Sequence, residues 1–239
     1  MTDFACQGIE EVLIIDCGPY VEIDVNEVVS FHREHDKTVT RALTDDGPLD
    51  LWVLDLSHFN PGEDLRRLLR EASPTYYELR GYVNRLRGPQ DFRRLVIDSF
   101  TTRCRLRPYG MEVRSRVWMA DGALIDRGAR IVGPAFIGHG VRIAGECLIT
   151  RGTNVESNSF VDFGTAVEDS SILSNTYLGI GVDLSHSVVK GDRLFNLHYD
   201  VNLDITDPVV LRENISRADE PSRLEFKNEM GSSSKPVRP

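Results

Sequence analysis

Residues 113 to 173 read VRSRVWMADGALIDRGARIVGPAFIGHGVRIAGECLITRGTNVESNSFVDFGTAVEDSSIL, and they count in sixes. Val113, Met119, Ile125, Ile131, Ile137, Ile143, Ile149, Val155, Val161, Val167 and Leu173 each follow the last at that spacing. Four places after them come small or β-branched residues: Val117, Ala123, Ala129, Ala135, Val141, Cys147, Thr153, Ser159, Thr165 and Ser171. Directly before that second set stand turn residues, namely Gly122, Gly128, Pro134, Gly140, Gly152, Asn158 and Gly164. This is the hexapeptide repeat of a parallel β-helix. An ordinary β-sandwich has no reason to hold one spacing for so long.

In each short strand the small residue and the next aliphatic point inward, and the residue between them points out. The glycines, proline and asparagine supply the turn conformations. Three hexads close one triangular coil of about 18 residues, so aliphatics at that separation stack in columns. Ile125, Ile143 and Val161 form one column, Ile131, Ile149 and Val167 a second, and Ile137, Val155 and Leu173 the third. After Leu173 the count meets Gly179 and loosens, while Leu184 and Val188 suggest one more coil.

The outward residue of a strand is ordinarily polar. Here Trp118, Phe136 and Ile172 recur on one face, interrupted by Asn154, and Leu124, Phe160 and Leu178 share another with Arg142. Trp118, Phe136, Phe160 and Ile172 are therefore interface candidates, with one face covered by the N-terminal layer and the other used between subunits.

With 239 residues, 41% of them hydrophobic, the chain can bury one good core or two modest ones. A net charge of −9 and a pI near 5.2 argue against a nucleic-acid binder that relies on basicity. No apolar run approaches the roughly 20 residues that span a bilayer, and MTDFACQGIEE lacks the form of a signal peptide. Cys6, Cys17, Cys104 and Cys147 form no CxxC pair, and Cys147 falls on an inward repeat position. These features predict a soluble, cytoplasmic chain with no membrane partner.

Upstream of the repeats, Val12 to Ile15 predicts a buried strand, and Asp24 stands as N-cap to a helix over Asn26 to His35. Thr38 to Leu43 and Leu51 to Leu56 predict two strands around the turn TDDGP. Pro61 opens a helix carrying Leu65, Leu68 and Leu69, and Tyr77 to Val83 reads as a strand. Pro89 to Thr102 has Phe92, Leu95, Val96 and Phe100 on one helical face. The fold class is mixed α/β plus all-β: an α/β segment over 1–102, a hexapeptide-repeat β-helix over 103–211 and a flexible tail over 212–239. The many arginines between Arg66 and Arg107 read as solvated helix faces paired with acids, or as a phosphate site.

An α/β segment followed by a hexapeptide β-helix resembles the sugar-1-phosphate nucleotidyltransferases, also called nucleotide-sugar pyrophosphorylases. VLIIDCGPYVEIDVNEVVSFHREHDKTVTRAL, Val12 to Leu43, is similar to that family's strand ending in Gly-Asp, its helix with "fHr" and its strand beginning "vT". GYVNRLRGPQDFRRL, Gly81 to Leu95, is similar to its "W-x-D-i-G-T-p-e-D-y" segment, and IGHGVRI to its C-terminal repeats. The resemblance covers most of residues 8–205, but only the later part of a complete nucleotidyltransferase domain. It implies a partial nucleotidyltransferase-like α/β layer and a left-handed helix. Hexads alone do not set the hand, and most parallel crossovers run the other way.

The family joins a nucleoside triphosphate to a sugar 1-phosphate and releases pyrophosphate, using magnesium. Its opening G-x-G-x-R-l-x-P loop, which holds the triphosphate, has no counterpart here. Counting back from Ile23-Asp24, the first Gly-Asp falls on Cys17-Gly18, and the second metal-binding Asp falls on Arg85, or on Asn84 if the register moves by one. A magnesium–triphosphate complex needs oxygen ligands there. Asp16 and Asp24 are the substitute metal ligands nearest in sequence, and each also reads as a plain cap of a strand or helix. No catalytic or cofactor-binding residue is assigned, and magnesium is expected only if the family's activity is retained. The resemblance implies a transferase-like protein of nucleotide-sugar metabolism that lacks full competence alone and serves as a binding, regulatory or scaffold subunit. Its implied partners are a nucleotide sugar or sugar phosphate, and a second copy or an intact nucleotidyltransferase. Two other readings stand beside it: a hexapeptide acyl- or acetyltransferase using His139, His186 or His198, and a purely structural self-assembling module.

Overall fold

The computed structural model describes residues 9–35, 38–58 and 64–214. The hexads wind into a β-solenoid of about four turns, of the left-handed β-helix type. Parallel strands from successive coils stack into three sheets that form the sides of a prism. Ile125, Ile143 and Val161 lie in one register column and Ile131, Ile149 and Val167 in another, as their 18-residue spacing predicts. Ile137, Ile149, Val155, Val161 and Val167 are completely buried. Each such side chain contributes about 1.5–3 kcal/mol by leaving water.

The small inward residues do more than fit the corners. Thr153, Ser159 and Thr165 carry hydroxyls that accept the N–H groups of Ser170, Thr176 and Val182 in the next coil. They also donate to the carbonyls of Val167, Leu173 and Gly179. Buried backbone that would otherwise lack a partner at the turn is satisfied this way.

The third column departs from the count. Val155 pairs with Ile172 rather than Leu173, and Asn154 with Ser171. The cause is one missing residue at a corner. Between Ile149 and Thr153 the chain turns through Arg151 and Gly152, both at positive φ; between Val167 and Ser170 it turns through Asp169 alone, at φ 42°. Ile172 therefore points into the core, fully buried, and is not an outward interface residue. Ser170 takes the small inward position expected of Ser171. The same slip carries Leu178 inward opposite Val161 and puts Tyr177 on the outer face beside Phe160. His186, at φ 48°, repeats the short corner in the last coil, so Val189 stacks on Ile172 and Val188 stands on the outer face. Val113 departs too. It lies in an antiparallel strand, Met111–Arg114, beside the first coil and is 43% exposed. At the other end Leu211–Glu213 pairs antiparallel with Thr176–Leu178, so residues 212 and 213 are strand rather than tail. Residues 215–239 lie outside the described residues.

The N-terminal layer contains β1 (Glu11–Ile15), β2 (Tyr20–Val21), α1 (Val25–Glu34), β3 (Val39–Thr44), β4 (Gly47–Asp55), α2 (Leu65–Glu71), β5 (Thr75–Glu78), β6 (Val83–Asn84) and α3 (Pro89–Phe100). Its main sheet has the order β1-β4-β3-β5. Only the β3–β5 pair is parallel; β1–β4 and β3–β4 are antiparallel. One face packs on α1 through Val28 against Ala42, Leu51 and Val53. The other packs on α2 through Leu65 and Leu69 against Trp52 and Leu54. The predicted start of α2 at Pro61 lies outside the described residues.

Helix α3 leaves this sheet and lies on the solenoid. The Phe100 ring stacks on Trp118 at 5.5 Å, with only 4° between the planes. Arg93, almost fully buried, pairs with Asp169 at 2.8 Å and donates to Asn154 and Ser171. Gly152 allows the approach, because a Cβ there would meet Ile97 Cδ1 at 2.6 Å. Trp118 is half-buried beneath the Phe100 ring, and Phe136 is buried.

Ile143 is 2% exposed at the centre of its column. Replacing it with Asp buries an unpaired charge and should cost more than about 4 kcal/mol. Loss of a cooperative urea transition is the expected result, and a midpoint near wild type would contradict the column.

Candidate functional site

A groove of about 840 Å³ opens where α2 lies against one face of the β1-β4-β3-β5 sheet. Its floor is Trp52, Ile14, Leu69 and Ala72, and its walls carry Arg41, Arg66, Arg70, Asp16, Asp50 and Tyr76. The placement follows from local geometry. Arg66 and Arg70 are four apart on α2 and so share a face. Arg41 and Trp52 are direct cross-strand partners. The Arg41 guanidinium sits 4.2 Å from the Trp52 ring centroid and is held by Asp50 at 2.7 Å and by the Leu49 carbonyl at 2.8 Å. Arg67, on the neighbouring face of α2, is taken up by Glu71. Among the described residues, Arg66 and Arg70 have no such acid, and both are exposed. The groove therefore offers two exposed cations above an aromatic and aliphatic floor, with the exposed Tyr76 beside them. Such a surface can hold an anionic group and let a ring lie against apolar carbon.

Asp16 reaches this groove and Asp24 does not. Asp16 ends β1, exposed, with its N–H donated to the Asp50 carbonyl at 2.8 Å. Asp24 caps α1, accepting the Asn26 N–H at 2.9 Å. The two are not brought together into a metal site, and among the described residues no three His, Cys, Asp or Glu side chains converge to hold one. Gly18 is exposed, and a Cβ there would meet nothing within 4 Å. Arg85 is committed elsewhere. It donates to the Gly47 carbonyl at 2.7 Å, the Thr44 hydroxyl at 3.0 Å and the Pro48 carbonyl at 3.2 Å, which ties down the β3–β4 turn. A cation turned into carbonyl oxygens cannot stand in for a carboxylate ligand, so the residues present do not fit the family's magnesium.

Of the three histidines of the acyltransferase reading, His186 and His198 are neighbours. His139 is an exposed turn residue. His186 is at the short corner, its Nδ1 2.6 Å from Asp169, and His198 lies 6.0 Å away from it, ring to ring. Asp169 thus joins His186 to the buried Arg93, an arrangement the count of six hides. Phe160 remains half-buried on the outer face, edge-on to Tyr177 at 5.6 Å and under Arg142. The sequence contained the Arg66/Arg70 spacing, but Arg41, Trp52 and Tyr76 come from three strands whose pairing only the fold reveals.

No protein-family model matches this sequence, and no curated protein matches it. The nucleotidyltransferase resemblance rests on the quoted segments alone.

Arg85→Asp, which puts the residue type of the nucleotidyltransferase motif here, should destabilise the fold by about 2 kcal/mol because the Gly47 and Pro48 carbonyls lose their donor and meet a carboxylate. Urea unfolding with and without magnesium checks this. Magnesium-dependent stabilisation of the variant would show that a metal site was latent.

Proposed function

We propose that this protein is a nucleotidyltransferase-like binding subunit of nucleotide-sugar metabolism that lacks full catalytic competence by itself. It takes a nucleotide sugar or sugar phosphate in the groove between α2 and the sheet. The observation carrying this reading is the pair Arg66 and Arg70, facing one groove beside the Arg41–Trp52 stack and Tyr76. Two guanidinium groups suit a phosphate or diphosphate, and the rings suit a base or the apolar face of a sugar. Recognition in this form needs no metal, in keeping with Arg85 and Gly18 at the family's two aspartate positions.

Calorimetric titration with nucleotide sugars, sugar 1-phosphates and nucleoside triphosphates, with and without magnesium, tests the reading. Binding of one of them with Kd on the order of micromolar, unchanged by magnesium, is expected. The Arg66→Ala/Arg70→Ala double variant should weaken it by about tenfold or more, since charge-assisted contacts are lost. Equal binding by the double variant would remove the groove from the proposal, and no binding of any ligand would sink it.

A second reading, self-assembly through the first coil, is favoured by its open edge. Among the described residues Leu124–Ile125 and Arg130–Ile131 end their sheets, and Leu124 is 65% exposed. Unpaired strand edges are templates for another chain. Light scattering should then give a multiple of the chain mass, reduced by Leu124→Glu and, through the adjoining outer face, by Phe160→Glu. A monomeric wild type would end this reading.

A further inference from the structure

A second groove, of about 310 Å³, runs between α3 and the covered face of the solenoid. It is separate from the arginine groove and depends on different elements. Phe92, Val96 and Phe100 line it from the helix, and Tyr109 and Phe136 from the opposite wall, their rings 5.0 Å apart. Glu156 is its acidic group. The carboxyl receives a Ser174 hydroxyl at 3.2 Å and an Asn154 amide at 3.4 Å, both long, together with the Ser174 backbone. Among the described residues it has no cationic partner. Arg107, which also lines the groove, turns its Nη1 to the carbonyls of Cys104 and Leu106.

A carboxylate facing an apolar groove is costly unless something compensates it. Burial accordingly raises the Glu156 pKa above its ordinary value. Aromatic faces beside it attract the same kind of group that a carboxylate does, namely a cation. The volume is at the small end for ligand sites. We propose that this groove binds a small organic amine, with its ammonium on Glu156 and its hydrocarbon or aromatic body between α3 and the Tyr109–Phe136 wall.

The test uses the whole chain and two probes of one shape, phenethylamine and 2-phenylethanol, in calorimetric titration. At pH 8 the amine should bind about tenfold more tightly or better, because a charge-assisted contact replaces a neutral one. The preference should fade as pH falls through the raised pKa of Glu156 and the carboxyl takes up its proton. Glu156→Gln should abolish the preference while the alcohol still binds. Val96→Trp, which fills the groove from the helix side, should remove binding of both probes and gives a second test should the Gln variant fold poorly. Equal binding of amine and alcohol to the wild type overturns the proposal, as does amine binding that survives in Val96→Trp. No amine binding overturns it too, whatever the outcome for nucleotide sugars.

Discussion

Each coil of the prism hands its strand N–H groups to the carbonyls of the coil beside it, and everything else in the molecule accommodates that stacking. The condition is severe, because a corner has room for one aliphatic and one small side chain, and turn backbone inside the prism has no water to bond. Thr153, Ser159 and Thr165 meet both demands at once, filling the small position and bonding the neighbouring coil. A prism made this way is rigid, so surfaces placed on it hold their shape.

The N-terminal layer uses that rigidity through a single helix. The first two helices of the layer sandwich their own sheet, but the third turns its apolar side to the solenoid and drives Arg93 into it. Removing a guanidinium from water lowers its pKa, and the ion pair with Asp169 works against that shift. A buried pair of this kind adds little net stability but penalises any other docking of the helix. Asp169 is available because the corner there is one residue short, and the same residue holds His186. The docked helix lays Phe100 on Trp118 and, where it stands off from the coils beside Phe136, leaves the groove that contains Glu156. A loss of one residue from the repeat thus shapes both the joint and the cavity beside it.

Reading the chain in order showed the solenoid, two of its three columns, the cap at Asp24, the strand at β1, the hairpin of β3 and β4, and the amphipathic face of α3. These are local or strictly periodic features, and local physics governs them. The third column was misread because a register changes by one residue without any change in residue type: SSIL permits Ile172 or Leu173 to point inward equally well. A one-residue shift exchanges the two faces of a strand, which is why Ile172 and Leu178 turned from surface to core. Val113 kept the count and still left the coil, since an antiparallel strand tolerates the same alternation. Trp118 and Phe136 were correctly seen as apolar on an outer face, but whether a helix of the same chain or another subunit covered them could not be settled by spacing.

By itself the sequence determined the architecture of residues 117–167, because a hexad that alternates large and small inward residues has one packed solution. The tertiary structure alone decided where Arg85, Arg93 and Glu156 spend their charge. Those outcomes depend on side chains that approach from distant segments: Arg85 meets the turn at Gly47, Arg93 meets Asp169, and Glu156 meets no cation among the described residues. A charge is defined energetically by its neighbours, and its neighbours are set only when the chain has closed around it.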